Sequence, residues 1–559
     1  MLLKRVKLGQ KEVWPPFTFP SGIVTVSSDL MMRAACDIGI GLVTSKSVGA
    51  TPRDGYSEPI LSQYSIDSLS TAVGLSNPGV DTWIEEMKGC KFPQDKFLLV
   101  SVFSDNVDDF VDVARKVAPY CDGIELNFCC PHSLNYGAAV ASEEELTVII
   151  TKAVRAAVDN FLVVKLTPDG PAIGPWSKKL VEAGADAIAA IGPTKAVTVL
   201  DDHLGIAILS YGSGGLSGPE ILDTGIKCVR EIRNYVDVPI IGGGGIRGAK
   251  DVMAYAEAGA DIFAIGTSLA GLDTALIKEY FRVLQQDLVD GTDNASKMTF
   301  YGWQLKHTPM TLASVSRHGE NAILTFDGKL EAEPGQFVFA WLPGIGEKPF
   351  GVANCKPFML GIRRVGKVSG ALCDLEPETE VMIRGPFGKA FPTSDNAVII
   401  AGGCGAVPLR LLAQKCHNPT TLLGARTHED VLFEGDFMSF GETIIATDDG
   451  SLGFKGSVVD LLQSQLELGK FKDALFFVCG PEAMMLAAAK CLLKYTDMTK
   501  IYLGLERYMS CGVGLCGKCA LDGYRTCVDG AVMRLDQLGF DGDFGNWHRN
   551  KCGAKVELS

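Results

Sequence analysis

Residues 239–268 read PIIGGGGIRGAKDVMAYAEAGADIFAIGTS: two short apolar runs, each ending in a glycine-containing turn, separated by an amphipathic segment. Six further apolar runs precede them, and helical patterns with apolar residues every three or four positions lie between most of the runs. The eight runs are residues 22–25, 40–45, 97–102, 123–127, 162–166, 187–191, 239–242 and 262–266. A repeated strand-then-helix order indicates a parallel sheet, and eight units favour a closed (β/α)8 TIM barrel over a doubly wound sheet.

The pattern of predicted strands and helices changes near residues 290–310. Residues 310–395 show alternating strand patterns and turn signals such as EPGQ and GPFG, without long helices, which indicates a small antiparallel β-barrel. Residues 396–500 return to strand–helix alternation, which is typical of a nucleotide-binding α/β domain. The predicted segments are a (β/α)8 barrel at 1–300, an antiparallel β-barrel at 305–395, an α/β domain at 396–500 and a cysteine-rich segment at 501–559.

Composition limits the classes of protein to which the chain can belong. It has 559 residues, 47% hydrophobic and 21% charged, which is the balance of an ordinary globular protein. The net charge is −14 and Lys and Arg form no dense runs, which argues against non-specific nucleic-acid binding. The chain begins MLLKRVK, with no apolar signal region, and no apolar stretch reaches the roughly 18 residues of a spanning helix. We expect a soluble, cytoplasmic protein with no nucleic-acid or membrane partner.

Four of the 17 cysteines lie close together near the C-terminus, in CGVGLCGKC at residues 511–519 and at Cys527. This Cys-x4-Cys-x2-Cys…Cys spacing is that of a plant-type [2Fe–2S] cluster, in which a glycine-rich loop wraps three thiolates and a fourth arrives later in the chain. A four-cysteine zinc site is the alternative, but zinc favours two Cys-x2-Cys pairs and only one is present. The predicted cluster ligands are Cys511, Cys516, Cys519 and Cys527.

A glycine-rich turn, GGCGAVP at residues 402–408, follows an apolar strand pattern and precedes a helical one. Glycines there let the backbone approach a pyrophosphate at a helix N-terminus, although turns of this kind are also common structural devices. Two later segments strengthen the interpretation: TDDG at residues 447–450 and FVCGPEAMM at residues 477–485.

Together with PGQF at 334–337, GPFG at 385–388 and the four cysteines, these segments resemble the electron-transfer subunit of class 1B dihydroorotate dehydrogenase, within the ferredoxin–NADP reductase superfamily. The resemblance implies FAD in the small barrel and NAD(H) on the domain that follows. The residues it assigns to these cofactors are Lys348, Pro349, Gly402, Gly403, Gly405, Asp448, Cys479 and Gly480. Lys348-Pro-Phe-Gly351 stands where the family usually has Arg-Pro-x-Ser, and lysine meets a phosphate as a point charge without arginine's bidentate fork.

The first 300 residues resemble the catalytic subunit of the same enzyme and also the pyrimidine-reducing domain of dihydropyrimidine dehydrogenase. The matching segments are TSKS (44–47), GLSNPG (74–79), ELNFCCPH (125–132), KLTP (165–168), GGLSG (214–218), GGGGI (242–246) and GTS (266–268). The resemblance implies FMN in the barrel and a homodimer formed through the barrel domain. It implies FMN contacts at Ser21, Gly22, Lys46, Asn127, Lys165, Gly218, Gly244, Gly245, Gly266 and Thr267, and substrate contacts at Lys46, Asn77, Asn127 and His132.

The positions of these residues along the predicted strands agree with the resemblance. Lys46, Asn127 and Lys165 come at the ends of strands, on the C-terminal face where barrel active sites are built. The glycines at 242–246 and 266 follow the seventh and eighth runs, where barrels bind a cofactor phosphate. A cationic Lys165 near the flavin ring would stabilise an anionic reduced flavin.

Cys130 is the candidate for acid–base catalysis. Moving hydrogen across a carbon–carbon bond needs a hydride partner, the flavin, and a proton partner on the opposite face of the substrate. A thiol serves if its pKa is brought toward the working pH. A packed small residue is the alternative for one loop cysteine, and the matched motif favours catalysis. The neighbouring Cys129, where relatives usually have serine, receives no role.

Two positions depart from enzymes that hold a pyrimidine ring with asparagines. Thr71 and Gly192 stand where asparagines are expected, and glycine offers no side-chain donor or acceptor. Cys130-Pro-His132 replaces the Cys-Pro-Asn of dihydroorotate enzymes and is closer to the dihydropyrimidine pattern. His132 is either a ligand contact or a local cap.

The resemblance predicts an oxidoreductase that converts dihydroorotate to orotate, with electrons passing from FMN through the [2Fe–2S] cluster to FAD and NAD+. One alternative is an NAD(P)H-dependent reductase of uracil, thymine or another conjugated ring or enone. Another is an NADH-dependent electron-transfer module for a partner protein, against which the intact Cys130, Lys46 and Lys165 argue.

Overall fold

The computed structural model describes residues 3–129, 138–299 and 305–558, and these fall into two compact units. Unit one comprises Met1–Trp303, Val513–Gly523 and Arg549–Lys555. Unit two comprises Gln304–Gly512, Tyr524–His548 and Val556–Ser559. No helix among the described residues has the length and apolar character needed to cross a lipid bilayer.

Unit one is built on eight parallel strands in the order β1-β8-β7-β6-β5-β4-β3-β2, so consecutive strands are neighbours. The strands are β1 Phe17–Thr18, β2 Leu42–Thr44, β3 Phe97–Val102, β4 Gly123–Asn127, β5 Phe161–Leu166, β6 Ala187–Ala190, β7 Ile240–Gly243 and β8 Ile262–Ala264. The hydroxyls of Thr18 on β1 and Thr44 on β2 lie 2.9 Å apart, which brings the two end strands together. The (β/α)8 barrel predicted from the periodicity is confirmed.

The predicted position of the first strand is wrong. We expected it at residues 22–25, but β1 lies at Phe17–Thr18, where Phe17 pairs with Phe263 of β8. Residues 22–25 instead form a turn, because Gly22 has a φ of +85° and Val24 a φ of +65°. Val24 and Thr25 of this run are buried and Gly22 and Ile23 are half-buried, and burial alone does not make a strand.

Helices connect the barrel strands. They are Ser28–Arg33, Val80–Lys88, Val107–Val117, Ala138–Ala141, Glu144–Ala157, Ile173–Glu182, Leu222–Arg233, Ala249–Ala258 and Thr274–Asp290, with a π-helical turn at Ala34–Ile38 and 3-10 turns at Ala118–Tyr120, Pro219–Ile221, Thr267–Leu269 and Ala295–Met298. Helix Val107–Val117 shows why such a segment is helical. Asn106 caps it by accepting from the Asp109 amide at 2.9 Å, and its apolar face is buried.

Two smaller sheets complete unit one. Strands Val6–Leu8 and Lys11–Val13 form an antiparallel hairpin before β1. Four antiparallel strands lie in the loops that follow β2 and β6, at the C-terminal end of the barrel: Leu61–Ser65, Ser68–Thr71, Thr194–Val197 and Gly214–Ser217. The second sheet contains Thr71, one of the two positions where the sequence lacks an expected asparagine.

Unit two begins with a closed antiparallel barrel of six strands in the order β9-β10-β13-β12-β11-β14. The strands are β9 Thr308–His318, β10 Asn321–Phe326, β11 Phe337–Leu342, β12 Gly346–Cys355, β13 Phe358–Arg363 and β14 Glu380–Phe387, with helix Lys367–Cys373 before β14. Its interior is filled by alternating apolar residues such as Leu324, Val338 and Leu360. The predicted antiparallel barrel is confirmed.

A doubly wound α/β fold follows in unit two. Its sheet order is β18-β17-β16-β15-β19-β20-β21, parallel except for the last strand. The strands are β15 Ala397–Gly402, β16 Thr420–Ala425, β17 Thr443–Thr447, β18 Phe454–Lys455, β19 Leu475–Cys479, β20 Ile501–Gly504 and β21 Val532–Arg534. The helices are Ala406–Lys415, Glu434–Phe440, Val458–Glu467 and Glu482–Leu492, with 3-10 turns at Gly403–Gly405, His428–Asp430 and Met498–Lys500.

The cysteine-rich segment has little regular helix, as predicted. Its further elements are the strands Ala520–Leu521, Tyr524–Arg525, Trp547–Arg549 and Lys555–Glu557, helix Thr526–Asp529 and a 3-10 turn at Leu535–Gln537.

Candidate active site and cofactor sites

Asn127 and Lys165 lie side by side at the C-terminal rim of the barrel. They are register partners on β4 and β5, and both side chains are buried. Lys165 Nζ donates to Ser21 Oγ at 3.0 Å, so the amine reaches across to the turn after β1. Asn127 Nδ2 donates to Ser47 Oγ at 2.8 Å. The structure therefore brings two predicted flavin contacts, Lys165 and Ser21, into direct contact at the face where barrel active sites lie.

Lys46 adds a second amine to this region. It follows β2, and its amide donates to the Thr25 carbonyl at 3.0 Å. Its Nζ lies 3.5 Å from the point that a Cβ on Gly22 would occupy. Ser21, Gly22, Lys46 and Lys165, predicted from separate segments, thus come together around one turn. Two ammonium groups there suit a ligand that carries or gains negative charge.

The glycines predicted to bind the FMN phosphate also come together. A Cβ on Gly245 would lie 2.9 Å from the Gly218 carbonyl oxygen, and both residues have positive φ angles. Thr267 Oγ1 donates to Ser217 Oγ at 2.9 Å. Gly244 lies beside Gly245 after β7, and Gly266 follows β8. This cradle of partly buried backbone and hydroxyl groups, which side chains would fill, fits a phosphate.

Asn77 is held by its own loop. Its side chain is fully buried, and Oδ1 accepts from the amides of Gly49 at 3.1 Å and Gly79 at 2.9 Å. Nδ2 donates to the Leu75 carbonyl at 2.9 Å. These bonds give Asn77 a structural role in the loop, and its contact with substrate stays a prediction. Cys130 and His132, the two remaining predicted contacts, lie outside the described residues.

Cys129 contacts both Asn127 and Gly192. No role for it was predicted. Its amide and its Sγ approach Asn127 Oδ1 at 3.1 Å and 3.0 Å. A Cβ on Gly192 would lie 2.6 Å from Cys129 Sγ, closer than atoms can approach. Cys129 therefore fills space that a side chain at position 192 would need. In the sequence, the only indication of this contact is that Cys129 and Gly192 both differ from the residues expected at their positions.

In unit two, Lys348 and Pro349 lie on β12, where FAD is predicted to bind. Lys348 Nζ lies 3.2 Å from Tyr508 Oη and 4.2 Å from the centre of the Tyr508 ring. The ring and hydroxyl hold the amine in one place, which suits its role as a point charge for a phosphate. Tyr508 was not predicted, because nothing in the sequence links it to a lysine 160 residues earlier.

The predicted NAD(H) residues gather at the C-terminal edge of the α/β sheet. A Cβ on Gly405 would lie 2.1 Å from the Cys479 carbonyl oxygen, and one on Gly480 would lie 3.1 Å from Gly402 Cα, so the two turns pack directly against each other. Gly403 lies within the first turn, and Asp448 is exposed at the end of β17. Ligands bind to open α/β sheets at this edge. Burial raises the pKa of Cys479 to about 12, which keeps its thiol protonated.

The four predicted cluster ligands are all buried: Cys511, Cys516, Cys519 and Cys527 are 2%, 6%, 2% and 1% exposed. Among residues 3–129, 138–299 and 305–558, no group of three or more His, Cys, Asp or Glu side chains has the geometry of a metal site. The assignment of the ligands therefore rests on their spacing and on their chemistry, four thiols withdrawn from water with positive-φ glycines at 512, 514 and 517.

A buried ion pair lies in the small barrel near Cys511. Arg384 grips Glu347 through two hydrogen bonds of 2.7 Å and 2.6 Å, and His307 Nε2 lies 2.8 Å from Glu347 Oε1. Burial by itself raises the pKa of Glu347, but the charge and hydrogen bonds of Arg384, with those of His307, outweigh it and lower the pKa to about 2. Glu347 therefore stays ionised well below the pH at which a free glutamate becomes protonated.

We expect this pair to make the protein sensitive to acid. The pKa of Glu347 is lowered from 4.5 to about 2 on folding. Its contribution is therefore complete above about pH 4.5 and is lost as the pH falls toward 2, by on the order of 3 kcal/mol in total. Glu347→Gln should lower the thermal midpoint strongly at pH 6, and the gap to the unmodified chain should narrow steadily between pH 4.5 and 3.

Asp374→Asn provides the matched control for acid sensitivity, because Asp374 forms an exposed ion pair with Arg364 on the same barrel. Exposed pairs contribute little, so the thermal midpoint of this variant should follow that of the unmodified chain closely at every pH. A gap for Glu347→Gln that stayed constant down to pH 3 would contradict the lowered pKa.

The model of the family described as dihydroorotate dehydrogenase matches residues 4–288, which is about half of the chain. The chain belongs to the dihydroorotate dehydrogenase family. A second model, described as the iron–sulfur cluster binding domain of dihydroorotate dehydrogenase B, matches residues 506–539 and includes all four predicted ligands.

Relatives of both kinds of dihydroorotate dehydrogenase B subunit match the chain. A probable electron transfer subunit from Methanocaldococcus jannaschii is 37% identical over 237 residues, 41% of this chain and 90% of that protein. A catalytic subunit from Pyrococcus abyssi is 34% identical over 254 residues, 45% of this chain and 83% of that protein. A catalytic subunit from Methanocaldococcus jannaschii is 35% identical over 257 residues, 45% of this chain and 83% of that protein. The chain thus fuses a catalytic region with an electron-transfer region.

The resemblance predicted from the motifs is therefore confirmed, and the chain is an oxidoreductase of the dihydroorotate dehydrogenase B type. FMN, FAD, NAD(H) and a [2Fe–2S] cluster are the cofactors of this family, as the sequence predicts. The roles of the individual residues stay predictions.

Proposed function

We propose that the chain oxidises dihydroorotate to orotate at the barrel and passes the electrons within the same chain to NAD+. The observation that carries the proposal is the meeting of Lys165, Ser21, Lys46 and Asn127 at the rim of a barrel of this family. Because both functions lie on one chain, the electron-transfer half stays at high effective concentration without a separate subunit.

At the barrel, the residues of the chain would bind FMN and move a proton. The cradle of Gly218, Gly244, Gly245, Gly266 and Thr267 would hold the FMN phosphate. Lys165 and Lys46 would place positive charge beside the flavin ring and the substrate. FMN, when bound, supplies the hydride exchange with the substrate.

Cys130 would take the proton from the carbon next to the one that gives up the hydride. It would do so on the face of the substrate ring opposite to the flavin. This role requires a thiol whose pKa lies near the working pH. Cys130 follows β4 in the sequence. Asn127, the last residue of β4, and His132 would orient the substrate.

In unit two, Lys348 and Pro349 would hold FAD, and the turns at Gly402–Gly405 and Cys479–Gly480, with Asp448, would hold NAD(H). The four cysteines would hold the [2Fe–2S] cluster, which supplies single-electron transfer between the two flavins. A homodimer formed through the barrel and a cytoplasmic location belong to the same proposal.

The contact between Cys129 and Gly192 favours a second candidate substrate. Gly192 presents no side-chain amide to a substrate ring, and Cys129 occupies the space beside Gly192. Sites built to hydrogen-bond a substrate lose discrimination when those groups are absent. This supports the alternative that the barrel reduces uracil, thymine or another conjugated ring or enone with NAD(P)H.

An anaerobic spectral test separates the candidates. Protein loaded with iron, FMN and FAD should lose flavin absorbance when dihydroorotate is added under argon. After reduction with NADH, orotate should restore it, while buffer alone should not. If uracil or thymine reoxidises the flavin and orotate does not, the second candidate replaces the first. If NADH bleaches the flavin and none of these compounds acts, the chain is an electron-transfer module for a partner protein.

A further inference from the structure

The buried ion pair of unit two is placed across the small barrel. Glu347 on β12 and Arg384 on β14 lie on either side of β11, which separates their strands. The guanidinium meets the carboxylate with two parallel hydrogen bonds, the arrangement that best fixes the orientation of an arginine. His307 contributes a third hydrogen bond to the same carboxylate. The position of Arg384 is therefore determined on one side by a buried anion.

The other side of Arg384 contacts the backbone of the cysteine-rich segment. Nη1 donates to the Cys511 carbonyl at 3.1 Å, and Nη2 approaches the Ser510 carbonyl at 3.4 Å. The guanidinium also lies over the ring of Phe339, 4.1 Å from its centre. All five N–H groups of arginine point in fixed directions, so these contacts fix the carbonyl groups as well.

Gly512 shows how closely this segment is seated. Its φ of +79° suits glycine, and a Cβ there would lie 2.8 Å from the ring of Phe339 and 3.5 Å from Arg384 Nη1. Residues 510–512 therefore lie directly on the arginine and the phenylalanine. Any other residue at position 512 would push the segment away from both.

Stability alone does not account for this arrangement. Removing two charges from water is costly, and a buried ion pair is often no more stabilising than apolar residues of the same volume. The pair does, however, hold the positive charge of Arg384 in a hydrogen bond to the carbonyl of Cys511, the first predicted cluster ligand in the chain. Hydrogen bonds and charges near the sulfurs are the means by which a protein adjusts the potential of an iron–sulfur cluster.

We propose that Arg384, oriented by Glu347, is a positioning residue that raises the reduction potential of the [2Fe–2S] cluster. The inference rests on the proposed ligation of that cluster by Cys511. Reduction adds one negative charge to the cluster, and a buried cation nearby stabilises the reduced state. Glu347 partly offsets the charge and keeps the guanidinium directed at the Cys511 carbonyl.

The test is a potentiometric titration of the full chain, loaded with iron and both flavins and followed by the EPR signal of the reduced cluster. Arg384→Met should shift the ratio of reduced to oxidised cluster at least tenfold toward oxidised, which is about 59 mV lower for one electron. Glu347→Gln keeps one side-chain oxygen that accepts from the guanidinium but leaves the cation uncompensated, so it should shift the ratio in the opposite direction. Arg384→Lys keeps the charge and should stay within about threefold of the unmodified chain.

Arg364→Met is the matched control, because it removes an arginine from an exposed ion pair of the same barrel. Its potential should equal that of the unmodified chain. The inference is overturned if Arg384→Met and Glu347→Gln hold a full cluster with unchanged potentials, or if both shift it in the same direction. Should Arg384→Met take up no cluster, Glu347→Gln decides the sign, since it keeps the arginine. An unmodified chain that binds no cluster would remove the cluster assignment as well, which distinguishes the two failures.

Discussion

Replacement of Cys130 by alanine is expected to slow dihydroorotate oxidation by roughly a hundred- to ten-thousand-fold, the usual contribution of general acid–base catalysis. The hydride and the proton leave from neighbouring carbons of the substrate, so losing the proton acceptor slows the reaction even when the flavin is bound. NADH-dependent reduction of an artificial dye uses only the electron-transfer half and should be unchanged. Stopped-flow measurement of flavin bleaching by dihydroorotate, beside the dye assay, gives both rates.

Cys121→Ala provides the matched control for this loss. Cys121 lies just before β4, whereas Cys130 follows that strand in the sequence, and burial raises the pKa of the Cys121 thiol. Both rates should survive this change. If Cys130→Ala retained full bleaching by dihydroorotate, the proton would have to pass through another group, and the role of the cysteine would be refuted. If both variants lost bleaching equally, the effect would be one of folding rather than of catalysis.

The order of the elements could be predicted from the sequence, because the periodicity of apolar residues reflects which faces are buried. The eight-stranded barrel, the antiparallel barrel and the α/β sheet all appear in the predicted order. Lys165 and Asn127 could be placed at neighbouring strand ends by the same reasoning, and they are register partners. The exact position of a short strand could not. β1 is a two-residue strand defined by its pairing with β8, whereas the run at 22–25 is a partly buried turn.

The contacts that join distant segments were not predictable. Cys129 and Gly192 are unusual at their positions, but only the structure shows that the sulfur of one occupies the space beside the other. Tyr508 beside Lys348 and Arg384 beside Cys511 involve separations of more than 100 residues. Such pairs depend on how two elements cross, and neither the hydrophobic period nor a local motif encodes that.

The two missed contacts of unit two have a common location. Glu347 and Lys348 are consecutive residues of β12, so their side chains lie on opposite faces of the strand. Glu347 reaches Ser510 and Cys511 through Arg384, and Lys348 reaches Tyr508 directly. One strand thus holds both the predicted FAD contact and the segment that leads into the first cluster ligand. The potential of the cluster and the binding of FAD are therefore expected to respond together when β12 is altered.

The second large effect is expected for Cys519→Ala. Cys519 is the third thiol of the Cys-x4-Cys-x2-Cys pattern, and its side chain is buried. Without it the cluster should be lost, and electrons should no longer pass between the two halves of the chain. Dihydroorotate should still bleach the flavin of the barrel, and NADH should still reduce the dye. Formation of NADH from dihydroorotate should fall below detection.

Cys416→Ala is the matched control for the cluster. Cys416 follows helix Ala406–Lys415 and lies outside the cysteine motif, so its replacement should retain the iron content, the EPR signal and the coupled reaction. The decisive comparison is between each half-reaction and the coupled rate in the same preparation. If Cys519→Ala lost the EPR signal yet still formed NADH from dihydroorotate at the unmodified rate, electrons would have to cross between the flavins directly. The cluster would then not be the internal relay that its place in this chain indicates.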